Sequence, residues 1–205
     1  MPLIQFNDPQ YIQDLALFIK QLDVKTIMEV GSHSGEILAA LELTGHEVHG
    51  LEEDANAALK TTKLMAQIGA AGRSEYIKGG LLAYKGQKKW DLAISSGLVE
   101  HYEDEDAVKF ISKMAQHSTR YVLNIAPYSG CIPYKRAKAV STQPWRSEKD
   151  YTPEQLSALH KKAGLEVIRE GLMAPNWGRK WEPTVMAAPE QLPYLVFVLA
   201  KVNNK

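Results

Sequence analysis

The chain has one cysteine, Cys131, in 205 residues, which excludes an internal disulfide framework and a cysteine-rich zinc site. Neither charge is in excess: 24 Lys and Arg face 24 Asp and Glu, so no net field recruits nucleic acid or an anionic membrane, and any polyanion contact needs a local patch. No apolar run approaches the ~20 residues of a membrane span, and the N-terminus lacks the charged-then-apolar pattern of a signal peptide. Internal repeats, low-complexity tracts and an interdomain linker are missing as well. A soluble cytoplasmic protein, without nucleic-acid or membrane partners and without a metal, is the expectation. Hydrophobic residues are not scarce. At 45% of the chain they suffice for one large core, and a single α/β domain over residues 1–205 is expected.

The organising stretch is Thr26 to Leu41. Ile27 to Val30 is a short β-type run that includes Glu29, Gly31 to Gly35 is a turn of small residues, and Glu36 to Leu43 has helical composition with Ile37, Leu38 and Leu41 on one face. A strand, a glycine loop and a helix start follow one another. Such a loop lets a ligand approach the backbone and aims free helical N–H groups at it, with Gly31 and Gly35 open to conformations that side chains forbid. On its own a strand–glycine–helix stretch is as often a plain turn as a cradle.

On either side of that stretch the chain alternates. Asn7-Asp8-Pro9 starts a helix predicted to reach Leu22. After the cradle helix Gly45 is the expected C-cap, His46 to Leu51 a second strand ending at Glu52, and Asp54 the cap of a helix from Ala55 to Ile68. Tyr76 to Lys78 reads as strand three and Asp91 to Ser95 as strand four. Glu103 to Asp106 open a helix through Gln116, and Tyr121 to Ala126 is an apolar fifth strand. Thr152-Pro153-Glu154-Gln155 is a capping box for a helix that stops at Gly164. Leu165 to Arg169 and Tyr194 to Ala200 complete the strands. Strands alternating with helices imply parallel βαβ units and a sheet covered on both faces. Two segments, 127–150 and 172–193, read as irregular, and loops of that length usually serve a function.

The order of elements resembles the class I methyltransferases that use S-adenosylmethionine, in particular small-molecule enzymes of the type 11-like group. Their first motif is an acidic residue, one residue, then spaced glycines, and Glu29-Val30-Gly31-Ser32-His33-Ser34-Gly35 matches it at both ends. Ser95-Ser96-Gly97-Leu98-Val99-Glu100-His101 looks like their turn after strand four. The resemblance implies a Rossmann-like seven-stranded sheet, mostly parallel with an antiparallel last strand and helices on both faces. It implies S-adenosylmethionine as cofactor, with Glu52 accepting from the ribose hydroxyls, Glu29 facing the ammonium, and Gly31, Ser32, His33 and Gly35 forming the loop around the amino-acid end. Leu51 and Leu81 would flank the adenine, Ser96 and Gly97 would lie by the sulfonium, and Tyr11 would close from the first helix. Two departures stand out. His33 replaces the middle glycine, and Gly80 stands where relatives often have an acidic residue for the adenine amino group.

The expected activity is methyl transfer to a small-molecule acceptor, planar or acidic in character, by a monomer or homodimer. His101 is the candidate base, since imidazole suits proton transfer near neutral pH; the competing reading has it packing at the start of a helix. The acceptor pocket is expected from segments 127–150 and 172–193, with Tyr134, Arg136, Trp145, Arg146, Trp177, Arg179, Lys180 and Trp181. A non-catalytic, cofactor-binding partner subunit is the alternative. A nicotinamide-dependent oxidoreductase fits less well, because the dinucleotide loop requires glycines where His33 and Glu36 stand. Nucleic-acid methylation is weaker still: the chain is neutral and has no Asn/Asp-Pro-Pro-aromatic motif after strand four.

Overall fold

The computed structural model describes residues 9–143, 147–173 and 193–203. The first helix, α1 (Pro9–Lys20), buries Ile12, Leu15, Ala16 and Ile19, the spacing of a one-sided helix. Next come β1 (Thr26–Val30), α2 (Glu36–Leu43), β2 (Glu47–Glu52) and α3 (Ala55–Gln67). Asp54 caps α3 by accepting from the Ala57 N–H at 2.7 Å. The chain continues through β3 (Ser74–Tyr76), a short α4 (Gly80–Ala83), β4 (Trp90–Ser96), a 3-10 turn (Val99–His101), α5 (Asp104–Gln116) and β5 (Ser118–Pro127). It ends with α6 (Ile132–Val140), α7 (Pro153–Lys162), β6 (Glu166–Met173) and β7 (Leu195–Lys201). No helix among the described residues is long and apolar enough to cross a membrane.

The seven strands form one sheet in the order β3-β2-β1-β4-β5-β7-β6. Strands β1 to β5 run parallel to one another, whereas β7 runs antiparallel to both β5 and β6. Alternate strand residues feed two cores. Ile27, Leu92 and Leu123 face the core containing α1 and α2, while Met28, Ala93 and Val122 face that containing α5 and α7. Strand order reverses between β1 and β4, and in such a sheet the crevice beyond the carboxyl ends of those two strands is the ligand position.

Among the elements that differ from the sequence expectation, α4 is additional and β5 starts at Ser118 rather than Tyr121. β3 lies two residues earlier than Tyr76 to Lys78, pairing Gly50 with Ser74 and Glu52 with Tyr76. It ends there because Gly79 and Gly80, at φ 86 and 62, turn the chain into α4. The segment 127–150 contains a helix, α6, where irregular chain was expected. Pro133 sits in its first turn, and Pro133 and Tyr134 are its buried residues, so it shows little apolar periodicity to be read. β6 reaches Met173 rather than Arg169, a largely exposed edge strand without clean alternation. The capping box is as expected: Gln155 Oε1 accepts the Thr152 N–H at 2.8 Å and Thr152 Oγ1 accepts the Gln155 N–H at 3.2 Å.

Candidate functional site

A cavity of about 520 Å³ opens at the β1–β4 switch point, within the ~300–1,000 Å³ usual for small-molecule sites. Its floor is the loop after β1. Gly31, at φ 74, donates its N–H to the Leu51 carbonyl at 2.8 Å. A Cβ on Gly31 would lie 3.0 Å from Leu98 Cδ2, so the side chain after β4 closes over this glycine. His33 also has positive φ, 44°, a conformation that His tolerates better than most residues. Its N–H is fixed by Glu52, whose Oε2 accepts it at 2.7 Å.

Glu52 is buried at the end of β2 and also accepts from the Glu53 and Asp54 N–H groups, at 2.8 and 2.9 Å. This carboxylate therefore ties the β1 loop to the start of α3 while lining the cavity. Glu29 lines it from β1. Its Oε2 is buried with no hydrogen-bond partner among the described residues, as is Ser32 Oγ. Burial, and then the neighbouring charge of Glu52, push the Glu29 carboxyl well above its ordinary range, against the Leu38 N–H acting in the other direction. Unsatisfied buried oxygens of this kind are uncommon in native proteins and call for a partner.

Leu51 and Leu81 are both buried and line the same space, together with Tyr11, Gly80, Ser96 and Gly97. Tyr11 reaches it from α1 with its hydroxyl 2.7 Å from Ser96 Oγ. His101 stands at the edge with Nδ1 3.5 Å from Glu148 Oε1. Of the residues expected around the cofactor, only Gly35 does not line the cavity. It opens α2 in the left-handed conformation, and a Cβ there would meet Thr61 Cγ2 at 2.8 Å, so its smallness lets α3 pack.

Solved structures similar in fold include methyltransferases. One is magnesium protoporphyrin IX methyltransferase from Synechocystis PCC 6803 with bound SAH, at 14% identity and TM-score 0.69, covering 95% of this chain and 83% of that one. Another is an S-adenosylmethionine-dependent methyltransferase from Clostridium acetobutylicum ATCC 824, at 8% identity and TM-score 0.70, covering 98% and 94%. A third, the mitomycin 7-O-methyltransferase, shares 16% identity at TM-score 0.65, with 94% of this chain and 53% of that chain covered. The chain has the class I methyltransferase fold. No protein-family model matches it, and a search of curated proteins finds no match. With identities this low the likeness speaks for the methyltransferase fold alone.

Two residues at this end of the methyltransferase fold escape sequence reasoning. A Cβ on Gly80 would lie 2.7 Å from Glu53 Oε2, so the Glu53 carboxylate occupies the space over the glycine and also lines the cavity. The Glu53 carboxylate, from just after β2, thus lies against Gly80. Glu148, in the 127–150 segment, joins His101. None of the described residues of that segment lines the cavity; Tyr134 is buried with its ring 4.9 Å from that of Tyr194, and Arg136 is exposed. Trp145, Arg146, Trp177, Arg179, Lys180 and Trp181 lie outside the described residues.

Proposed function

We propose that the protein transfers a methyl group from S-adenosylmethionine to a small-molecule acceptor. The observation that carries this reading is the pair of unsatisfied buried oxygens, Glu29 Oε2 and Ser32 Oγ, beside Gly31. A ligand bearing an ammonium would give Glu29 the positive neighbour that favours its ionised form. Glu52, with carboxylate oxygens facing the same cavity, suits vicinal ribose hydroxyls. Its Oε2, which accepts one backbone N–H, keeps a further acceptor site for them, whereas Oε1 already accepts two. Leu51 and Leu81 offer flat apolar walls for adenine, and Glu53 an acceptor for its amino group. Ser96 and Gly97 then adjoin the sulfonium.

The sulfonium is already activated, so the protein's work is to hold methyl and acceptor in line and to exclude water. His101 marks the acceptor end and is the residue to handle the acceptor's proton. Calorimetric titration with S-adenosylhomocysteine and, separately, with NAD tests the cofactor. Saturable binding of the first and none of the second is expected; the reverse would turn the assignment to a dehydrogenase. Transfer of labelled methyl in an acceptor screen then tests turnover, and cofactor binding with no transfer to any acceptor would favour the non-catalytic reading.

A further inference from the structure

The 3-10 turn after β4 sets Glu100 and His101 side by side, and residues 147–150 return to them. Ligand-capable atoms of Glu100, His101 and Glu148 all lie within 4.8 Å of one another, and His101 Nδ1 is 3.5 Å from Glu148 Oε1. Glu100 is 4% exposed, and its Oε2 has no hydrogen-bond partner among the described residues. The nearby cations are committed elsewhere. Lys138 is paired with Asp150 and donates to the Glu148 carbonyl, while Lys149 reaches Glu103 and Asp104 at 2.8 and 2.9 Å. Among the described residues no lysine or arginine is paired with the Glu100 or Glu148 carboxylate, Lys138 acting on Glu100 only at longer range, and one Glu100 oxygen is closed off from water. Such an oxygen is costly to bury unless a donor or a cation meets it.

We propose that Glu100, His101 and Glu148 form a binding site for one divalent transition-metal ion, Zn²⁺ or Mn²⁺. Carboxylate oxygen and imidazole nitrogen bind zinc at ~2.0–2.2 Å. Tetrahedral ligands at that radius stand about 3.4 Å apart, close to the 3.5 Å between His101 and Glu148; a small side-chain rotation brings in Glu100. The mixed nitrogen and oxygen donors favour Zn²⁺ or Mn²⁺ over Ca²⁺ and Mg²⁺, which prefer all-oxygen shells. Cysteine scarcity excluded only thiolate sites. Three protein ligands leave coordination positions open, as catalytic sites do and structural ones do not. His101 also lines the large cavity, so the ion would lie at its acceptor end and take an oxygen of the acceptor as a further ligand. That consequence rests on the methyl-transfer reading, whereas the ion site does not. With the ion bound, His101 acts as a ligand to the group that acidifies an acceptor hydroxyl, rather than as a free base.

The test uses the full chain, stripped with chelator and dialysed, with neither cofactor nor acceptor added. Calorimetry with ZnCl₂ and electron paramagnetic resonance with MnCl₂ should each show one ion bound per chain. The variants H101A and E148Q replace part-exposed side chains and should keep the parent's circular dichroism. Each should weaken binding by roughly tenfold or more, as the loss of one of three ligands implies. E100Q should do the same, but it alters a buried residue, so the first two carry the test. No saturable binding of either ion, or binding that both variants leave unchanged, would overturn the site. S-adenosylhomocysteine is titrated in parallel: ion binding without cofactor binding would remove the methyl-transfer reading and leave the metal site standing.

Discussion

The Tyr11 hydroxyl lies 2.7 Å from Ser96 Oγ, which joins the first helix to the carboxyl end of β4 across the mouth of the cavity. Both residues line that cavity, so the bond makes α1 one of its walls rather than a helix that merely covers the sheet. Y11F keeps the buried ring and removes the bond. Unfolding stability should drop by about 1 kcal/mol, the net value of one hydrogen bond. Urea unfolding reads this directly, and unchanged stability would mean that the bond does not tie α1 to β4.

Glu52 has a structural task as well as a proposed ligand task. Its carboxylate accepts the N–H groups of His33, Glu53 and Asp54, and the first of these holds a residue whose φ of 44° needs support. Replacement by Gln puts a donor where an acceptor is needed. Hydrogen bonds to a charged group contribute about 1.5–3 kcal/mol, so E52Q should lose stability of that order in urea unfolding and at least ~10-fold in cofactor affinity. Parent-like stability in E52Q would show that these bonds do not hold the loop.

The Glu53 carboxylate lies against Gly80. A methyl group on Gly80 would meet Glu53 Oε2 at 2.7 Å, and the φ of 62° disfavours any side chain. G80A should therefore destabilise the protein, chiefly through this backbone conformation, because the Glu53 carboxylate ends a flexible side chain that can swing aside. Independently, E53A should weaken S-adenosylhomocysteine binding about tenfold if its carboxylate accepts from the adenine amino group. Parent-like stability of G80A would contradict the backbone argument; undiminished affinity in E53A would remove the proposed role of its carboxylate.

Legibility followed the periodicity of the elements. The strand, loop and helix from Thr26 to Leu43 could be read because apolar spacing changes abruptly at Gly31 and Gly35, and the Thr152 to Gln155 box because its two bonds are local. β3 was misplaced because Ser74 and Glu75 are polar residues on an outer strand, with no alternation to mark them. α6 was missed because it buries so little of its surface. In the cavity, the residues of the β1 loop, of β2 and of the β4 turn announce themselves by spacing. The approach of Glu53 to Gly80 and of Glu148 to His101 is set by tertiary folding, which brings together segments whose local sequences say nothing of each other.

The pH dependence of stability should carry the signature of His160. It is fully buried on α7, with Nδ1 2.9 Å from the Leu156 carbonyl and no partner for Nε2 among the described residues. Burial pulls its pKa down to about 4, partly opposed by the Leu156 carbonyl. An unfolded chain titrates this group near ~6.5. Between those two values the unfolded state binds a proton that the folded state refuses, so stability is full above pH ~6.5 and declines as pH falls towards about 4. The accumulated loss is about 3 kcal/mol, from ~1.4 kcal/mol per unit of pKa difference. His117 is also shifted down, first by burial, and contributes with the same sign, so the informative quantity is the difference between parent and variant. H160Q keeps a donor for the Leu156 carbonyl but does not titrate. Urea midpoints measured from pH 7.5 to 5 should fall more steeply for the parent than for H160Q; parallel curves would mean that His160 accepts its proton without unfolding the helix around it.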